Sequence, residues 1–153
     1  EATLALLAEG YEFVHLHTKR TDQAGHHKNP ARKAEIVAAV DRALAPLVPL
    51  VERGEIVVVV CPDHQTPSAG PLYHGGGAVP LTIAGGVAGA DGVTAYGETA
   101  AAAGSLGVLR GTDVLPLALD AADRSAFLAD RITGHRAFGI PRPADLKGLR
   151  AVE

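Results

Sequence analysis

Ile56-Val57-Val58-Val59-Val60-Cys61-Pro62-Asp63-His64 is the stretch that decides the fold class of this 153-residue chain. Five consecutive β-branched residues suit a strand covered on both faces, since branching at Cβ fits the pleat and unbroken apolarity leaves no side for water. The run stops at Pro62-Asp63-His64, so a carboxylate and an imidazole lie directly past a strand end. In open α/β sheets that is where ligands gather. Working outward, Glu12 to Leu16 predicts a strand leading into T-D-Q-A-G-H (21–26), and Leu81 to Ala84 predicts a short one after Y-H-G-G-G-A-V-P (73–80), ended by Gly85-Gly86.

Helical patterns alternate with these strands. Thr3 to Glu9 has helical apolar spacing and is stopped by Gly10. Asn29-Pro30 makes a good helix start, and the helix that follows places Ile36, Val37, Val40, Leu44 and Leu47 on one face, with Pro46 and Pro49 weakening its end. Glu98–Ala103, Asp113–Leu119 and a polar stretch from Ala122 to Arg131 read as further helices, and a Pro- and Gly-rich tail follows Gly134. The alternation predicts a three-layer α/β/α fold with a mostly parallel sheet. Residues 1–119 read as the metal-binding part, and 120–153 as a C-terminal helix and surface tail.

Bulk properties bound the function. The length predicts one closed core, and 47% hydrophobic with 20% charged residues describes a globular chain. A net charge of −3 gives no reason to expect nucleic acid or acidic membrane partners. The longest apolar run, Ile56 to Cys61, is far too short to span a membrane, and no signal peptide is visible. Cys61 is the only cysteine, which excludes an internal disulfide and suits a reducing cytoplasm. The sequence contains no Met and opens at Glu1 within a helical pattern, so a fragment or one half of a longer protein is expected, and the fold as incomplete.

The chemistry lies in Asp22, His26, Asp63, His64 and His74. Carboxylate oxygens and imidazole nitrogens are ligands that zinc and manganese accept, and such cations serve phosphoryl and hydrolytic chemistry. Asp22 and His26 are four apart, so one helical turn brings them to the same side. Pro62 and Pro67 stiffen the loop carrying Asp63 and His64. His74 precedes Gly75-Gly76-Gly77, whose backbone can approach a metal or phosphate closely. Taken singly, each motif also fits a structural role: Asp22 capping a turn, His26 and His64 as surface imidazoles, Asp63 bonding its own backbone. Three such motifs within about fifty residues, each beside a strand, favour a joint site.

These residues carry a resemblance. H-x-K-x-T-D-x-A-G-H (His17 to His26), D-H-x-T-P (63–67) and H-x-G-x-x-V-P (74–80) resemble, in order, motifs of the archaeal-type cofactor-independent phosphoglycerate mutases. Gly97 to Gly111, with G-S-L-G at 104–107, is similar to their C-terminal segment. The resemblance covers roughly residues 10–118 and implies the alkaline phosphatase superfamily fold. It implies two divalent metal ions, Mn or Zn with Mg as a further choice. Asp22, His26 and His74 match ligands of one, and Asp63 and His64 match two ligands of the other. It further implies a small phosphorylated substrate and a phosphorylated serine, which with a further Asp belongs to an N-terminal segment or partner chain that this sequence does not contain. Gly77-Ala78 departs from the Asp-Pro usual before Val-Pro, which touches the third loop's shape and not His74. His17 and Lys19 fall inside the matched motif, where each could orient a ligand side chain or contact phosphate, though Lys19 reads first as a solvated surface cation.

Rival readings are weaker. H-G-G-G (74–77) with A-G-S-L-G (103–107) resembles a lipase oxyanion loop and nucleophile elbow, with Asp113, Asp120 or Asp123 and His135 completing a triad. An elbow needs a buried strand before its serine, and Thr99 to Gly104 is alanine-rich and helical in propensity. Cys61 ends an apolar strand, where a thiol stays protonated. His15 reads as a core-edge residue, and His27 and His135 have no motif support. A phosphatase of the same superfamily and a non-catalytic metal-binding half-domain remain as alternatives.

Overall fold

The computed structural model describes residues 1–124. The chain begins with α1 (Ala2–Ala8), closed as its sequence predicts. Gly10 adopts φ 89°, and the Gly10 and Tyr11 amides donate back to the Leu7 and Leu6 carbonyls in the paired pattern of a Schellman cap. Residues 12–19 then run to α2 (Arg20–His26), which carries two of the ligand candidates.

Helix α3 (Pro30–Leu44) starts where Asn29-Pro30 places it. The Asn29 side chain accepts from the Arg32 amide at 2.9 Å, and Pro30 occupies the first turn, where no donor is missed. Between α2 and α3, Lys28 adopts φ 53°, a left-handed conformation costly for a side chain with a Cβ. Its ammonium offsets that cost by donating to the Pro67 carbonyl at 2.9 Å and to the Leu72 carbonyl. Pro46 and Pro49 act as expected: the helix gives way to a 3-10 turn (Ala45–Leu47) and then α4 (Val48–Glu52).

Two strands form one sheet. β1 (Val58–Val60) pairs with β2 (Thr82–Ala84) in antiparallel register, Val59 opposite Ile83. Among the described residues the sheet is this one antiparallel pair, and the three-layer, mostly parallel arrangement expected from the sequence is not seen in them. A parallel crossover needs a helix or comparable excursion between strands. The chain from Cys61 to Leu81 contains none, and it returns antiparallel. Glu12–Leu16 forms no ladder either, because a strand exists only against a partner edge. After β2 come α5 (Glu98–Ala101), a 3-10 turn (Gly111–Asp113) and α6 (Val114–Ala121). The helix expected at Ala122–Arg131 and the tail lie largely or wholly outside the described residues.

Packing is thin for the length. Among the described residues the buried apolar side chains are Ala24, Pro80 and Ala121, and no large side chain is fully buried. Phe13, Leu16, Leu72 and Val108 are open to solvent. Along α3 the half-covered apolar positions are Ile36, Val40 and Leu44, while Val37 faces water, so the expected stripe is narrower by one residue. The closed core that the length predicts is absent from these residues. A cleft of about 690 Å³ runs between α1 and α3, and none of the five ligand candidates lines it.

Candidate metal centre

Asp22 sits in the first turn of α2 and His26 in its last, one turn apart, so both side chains leave the same face. His26 Nε2 lies 3.2 Å from Asp22 Oδ1. The third motif brings His74 from the far side: its Nε2 is 3.4 Å from Asp22 Oδ1 and 3.2 Å from His26 Nε2. Three potential ligand atoms thus form a nearly equilateral triangle. Ligands about 2.1 Å from a tetrahedral ion stand roughly 3.4 Å apart, so the triangle has the size such an ion requires.

The electrostatics agree with that fit. The Thr66 hydroxyl, donating to Asp22 Oδ1 at 2.8 Å, holds the Asp22 carboxyl below its ordinary range, against a partial burial that raises it and with help from His26, His74 and His64. Asp22 is therefore an anion at neutral pH, facing two imidazoles. His26 Nδ1 is buried with no hydrogen-bond partner among the described residues. The ring is held instead by α2 and by Tyr73, whose ring lies 4.5 Å from it.

The second pair is looser. Asp63 is two-thirds exposed, with Oδ2 3.5 Å from His64 Nε2 and 4.0 Å from His17 Nε2. Its other oxygen accepts from the His64 amide at 3.0 Å, the turn bond that the bland reading of this motif describes. The His64 and His74 rings lie 4.1 Å apart, so the pair adjoins the triangle. All five candidates are thereby gathered in one region. His17 reaches Asp63 and not the triangle. Lys19 caps the start of α2 through its backbone, without a side-chain cap bond.

The loop 63–78 that carries these side chains is braced from three directions. Gln65 pairs with Gly75, whose amide donates to the Gln65 carbonyl at 2.9 Å, and the Gln65 side chain donates to the Ala78 carbonyl at 2.9 Å. Lys33, on α3, donates to the Thr66 carbonyl at 2.6 Å. Gly25 lets α2 come against Thr66: a Cβ there would stand 2.6 Å from the Thr66 methyl and 2.7 Å from its carbonyl oxygen. Thr66 and Gly25 lie within the motifs, yet no local pattern marks a task for either. Nor does one mark Tyr73, Lys28 or Lys33, whose contacts join positions far apart in the chain.

The esterase alternative finds no support. α5 and a turn precede Ser105, and its amide and hydroxyl bond Asp91 at 2.9 Å and 3.3 Å, a loop clasp rather than a nucleophile elbow. Cys61 is exposed rather than buried as expected, yet partial burial and then Asp63 push its thiol up, away from reactive thiolate.

Residues 1–121 match the metalloenzyme superfamily. The chain belongs to that superfamily. Its fold is accordingly the alkaline phosphatase-like one, and divalent cation binding is the property the superfamily shares. Among its relatives is the 2,3-bisphosphoglycerate-independent phosphoglycerate mutase of Pyrococcus furiosus, 40% identical over 119 residues, covering 78% of this chain and 29% of that protein. The enzyme of the same name, numbered 2, from Methanocaldococcus jannaschii is 32% identical over 136 residues, covering 89% and 31%. A solved structure of the PH0037 protein from Pyrococcus horikoshii superposes with a TM-score of 0.75 at 39% identity, covering 81% of this chain and 37% of that one. These matches bear out the resemblance read from the motifs. The chain spans less than a third of the length of the curated relatives just named.

Proposed function

We propose that this chain is the metal-ligand-bearing part of a phosphoglycerate mutase-like isomerase, interconverting 3-phosphoglycerate and 2-phosphoglycerate. The observation that carries the reading is the triangle of Asp22, His26 and His74, at 3.2–3.4 Å on each side. In this reading Asp22, His26 and His74 hold one divalent cation, manganese or zinc, with magnesium as a further choice. Asp63 and His64 hold part of a second, completed by an Asp and a Ser from polypeptide outside this sequence. The cations would supply charge neutralisation for the transferring phosphoryl group. That group passes to the serine oxygen and then to the other hydroxyl of the bound glycerate, so the phosphoester is remade and nothing is hydrolysed.

This chain's own residues bind and orient. Asp22 is kept anionic by Thr66, and His17, 4.0 Å from Asp63, orients the second group. The exposed Phe13 and Leu16 and the thin packing support a covering polypeptide, against which the three-layer, mostly parallel sheet would be completed. Residues 1–119 form the ligand-bearing unit and 120–153 its appendage. The partners are that polypeptide and a small phosphorylated substrate, with neither nucleic acid nor membrane; no helix of the described residues is long and apolar enough to cross one. The exposed free thiol of Cys61 suits the cytoplasm.

Two other readings share the same ligands: a phosphomonoesterase, and a metal-binding half-domain without catalysis. Assays with 3-phosphoglycerate and a generic phosphomonoester, run on the chain joined to its N-terminal complement, separate them. The account predicts mutase turnover that Asp22→Ala abolishes. Phosphate release without 2-phosphoglycerate would favour the phosphatase, and full activity in Asp22→Ala would contradict the ligand assignment.

A further inference from the structure

Thr66 is the one buried polar side chain among the described residues, 5% exposed, and it stands between the two ligand groups. Its Oγ1 lies 2.8 Å from Asp22 Oδ1 and 3.2 Å from His64 Nδ1. A hydroxyl has one proton, and an ionised carboxylate can only accept, so that proton goes to Asp22. The oxygen is then left to accept, and only a protonated His64 Nδ1 can donate to it. The Gln65 carbonyl, 3.3 Å from the same nitrogen, favours the same arrangement, since it too only accepts. His64 Nε2, on the other side of the ring, faces Asp63 Oδ2 at 3.5 Å. The geometry points to Thr66 as a positioning residue that couples the two cation groups, through the relay His64 Nδ1–H to Thr66 Oγ1–H to Asp22 Oδ1.

The relay rests on the two-cation reading above for its use, but not for its existence. Thr66 itself touches no cation in that reading, and the packing makes it rigid: Gly25 closes on the Thr66 methyl, and Lys33 holds its carbonyl. Outer partners of this kind orient ligand rings and change affinity by roughly 10–100-fold. Here one hydroxyl serves a ligand in each group. Its loss weakens both groups together, whereas loss of an ordinary outer partner weakens one.

Two substitutions test this in the full 153-residue chain. Thr66→Val keeps the shape and removes the hydroxyl; Thr66→Ser keeps the hydroxyl and removes the methyl. Zn²⁺ and Mn²⁺ titrations followed by calorimetry should show affinity falling about 10-fold or more for Thr66→Val, with Thr66→Ser within about twofold of the unchanged chain. Without added cation, ¹⁵N imidazole spectra should show His64 as the Nδ1–H tautomer in the unchanged chain and in Thr66→Ser, and as a mixture in Thr66→Val. Equal affinity and equal tautomer in Thr66→Val and the unchanged chain would overturn the coupling, as would a Thr66→Ser no better than Thr66→Val. Should the unchanged chain bind neither cation, the two-cation reading fails, and the tautomer comparison still decides the relay by itself.

Discussion

The two candidate ligand groups of this protein differ in how completely the chain itself builds them. Asp22, His26 and His74 close a triangle within 3.4 Å, two of them on one rigid helix and all at least half covered. Asp63 and His64 are neighbours on a loop, with the carboxylate two-thirds exposed and already occupied by the His64 amide. Helix spacing does most of the work in the first group, since Asp22 and His26 have no freedom to part. In the second, the braced loop, the Thr66 hydroxyl and the neighbouring His74 ring hold the imidazole. A complete set of three should bind a cation unaided, and a set of two should need further ligands.

The largest effect should come from breaking the triangle. Asp22→Ala or His26→Ala is expected to lower cation affinity by more than the roughly 100-fold that outer partners control, because a ligand atom itself is lost. Circular dichroism should show the fold little changed, as neither side chain belongs to the buried core. Asp63→Ala should leave this tight equivalent in place and remove only weak binding. If Asp63→Ala and Asp22→Ala weakened the same tight equivalent alike, the distinction between the groups would collapse.

Gly25→Ala probes the contact that ties the groups together. Its Cβ would meet the Thr66 carbonyl oxygen at 2.7 Å, a backbone atom that cannot swing aside. Overpacking of this kind costs about 1–3 kcal/mol, measurable by urea unfolding, and affinity should fall with it as Thr66 is displaced from Asp22. An unchanged midpoint would show that α2 and the loop are free to separate.

Asp91 supplies the smallest effect and a useful contrast with Asp22. Its carboxyl is held below the ordinary range by the amides of Ser105 and Val93, with no imidazole involved. A carboxyl lowered in the folded state stabilises above its unfolded value, and that contribution is lost as pH falls through the folded one. Asp91→Asn should therefore lower stability at neutral pH, flatten its loss in acid, and leave cation binding unchanged. A change in cation affinity would show that the 91–105 clasp and the ligand groups are not independent.

Much of the site was legible from residue spacing, and much of the architecture was not. Asp22 and His26 could be paired because i to i+4 on a helix is local geometry, and Asn29-Pro30 and Gly10 marked their helix ends for the same reason. The strand at Val58–Val60 was readable from its β-branched run, but not its antiparallel partner, because pairing depends on what the intervening residues do. Glu12–Leu16 has strand composition and no ladder, since a partner edge is not a property of the segment. Thr66, Gly25 and Lys33 were opaque for a related reason: their meaning lies in contacts across 33 to 44 positions, between elements whose mutual placement no local pattern encodes.

Equilibrium titration of the purified chain with Zn²⁺, alongside His26→Ala, tests the central claim most directly. The account predicts one tightly held ion per chain, lost in His26→Ala, with any second ion bound far more weakly. No tight equivalent, or one that persists undiminished in His26→Ala, would contradict it.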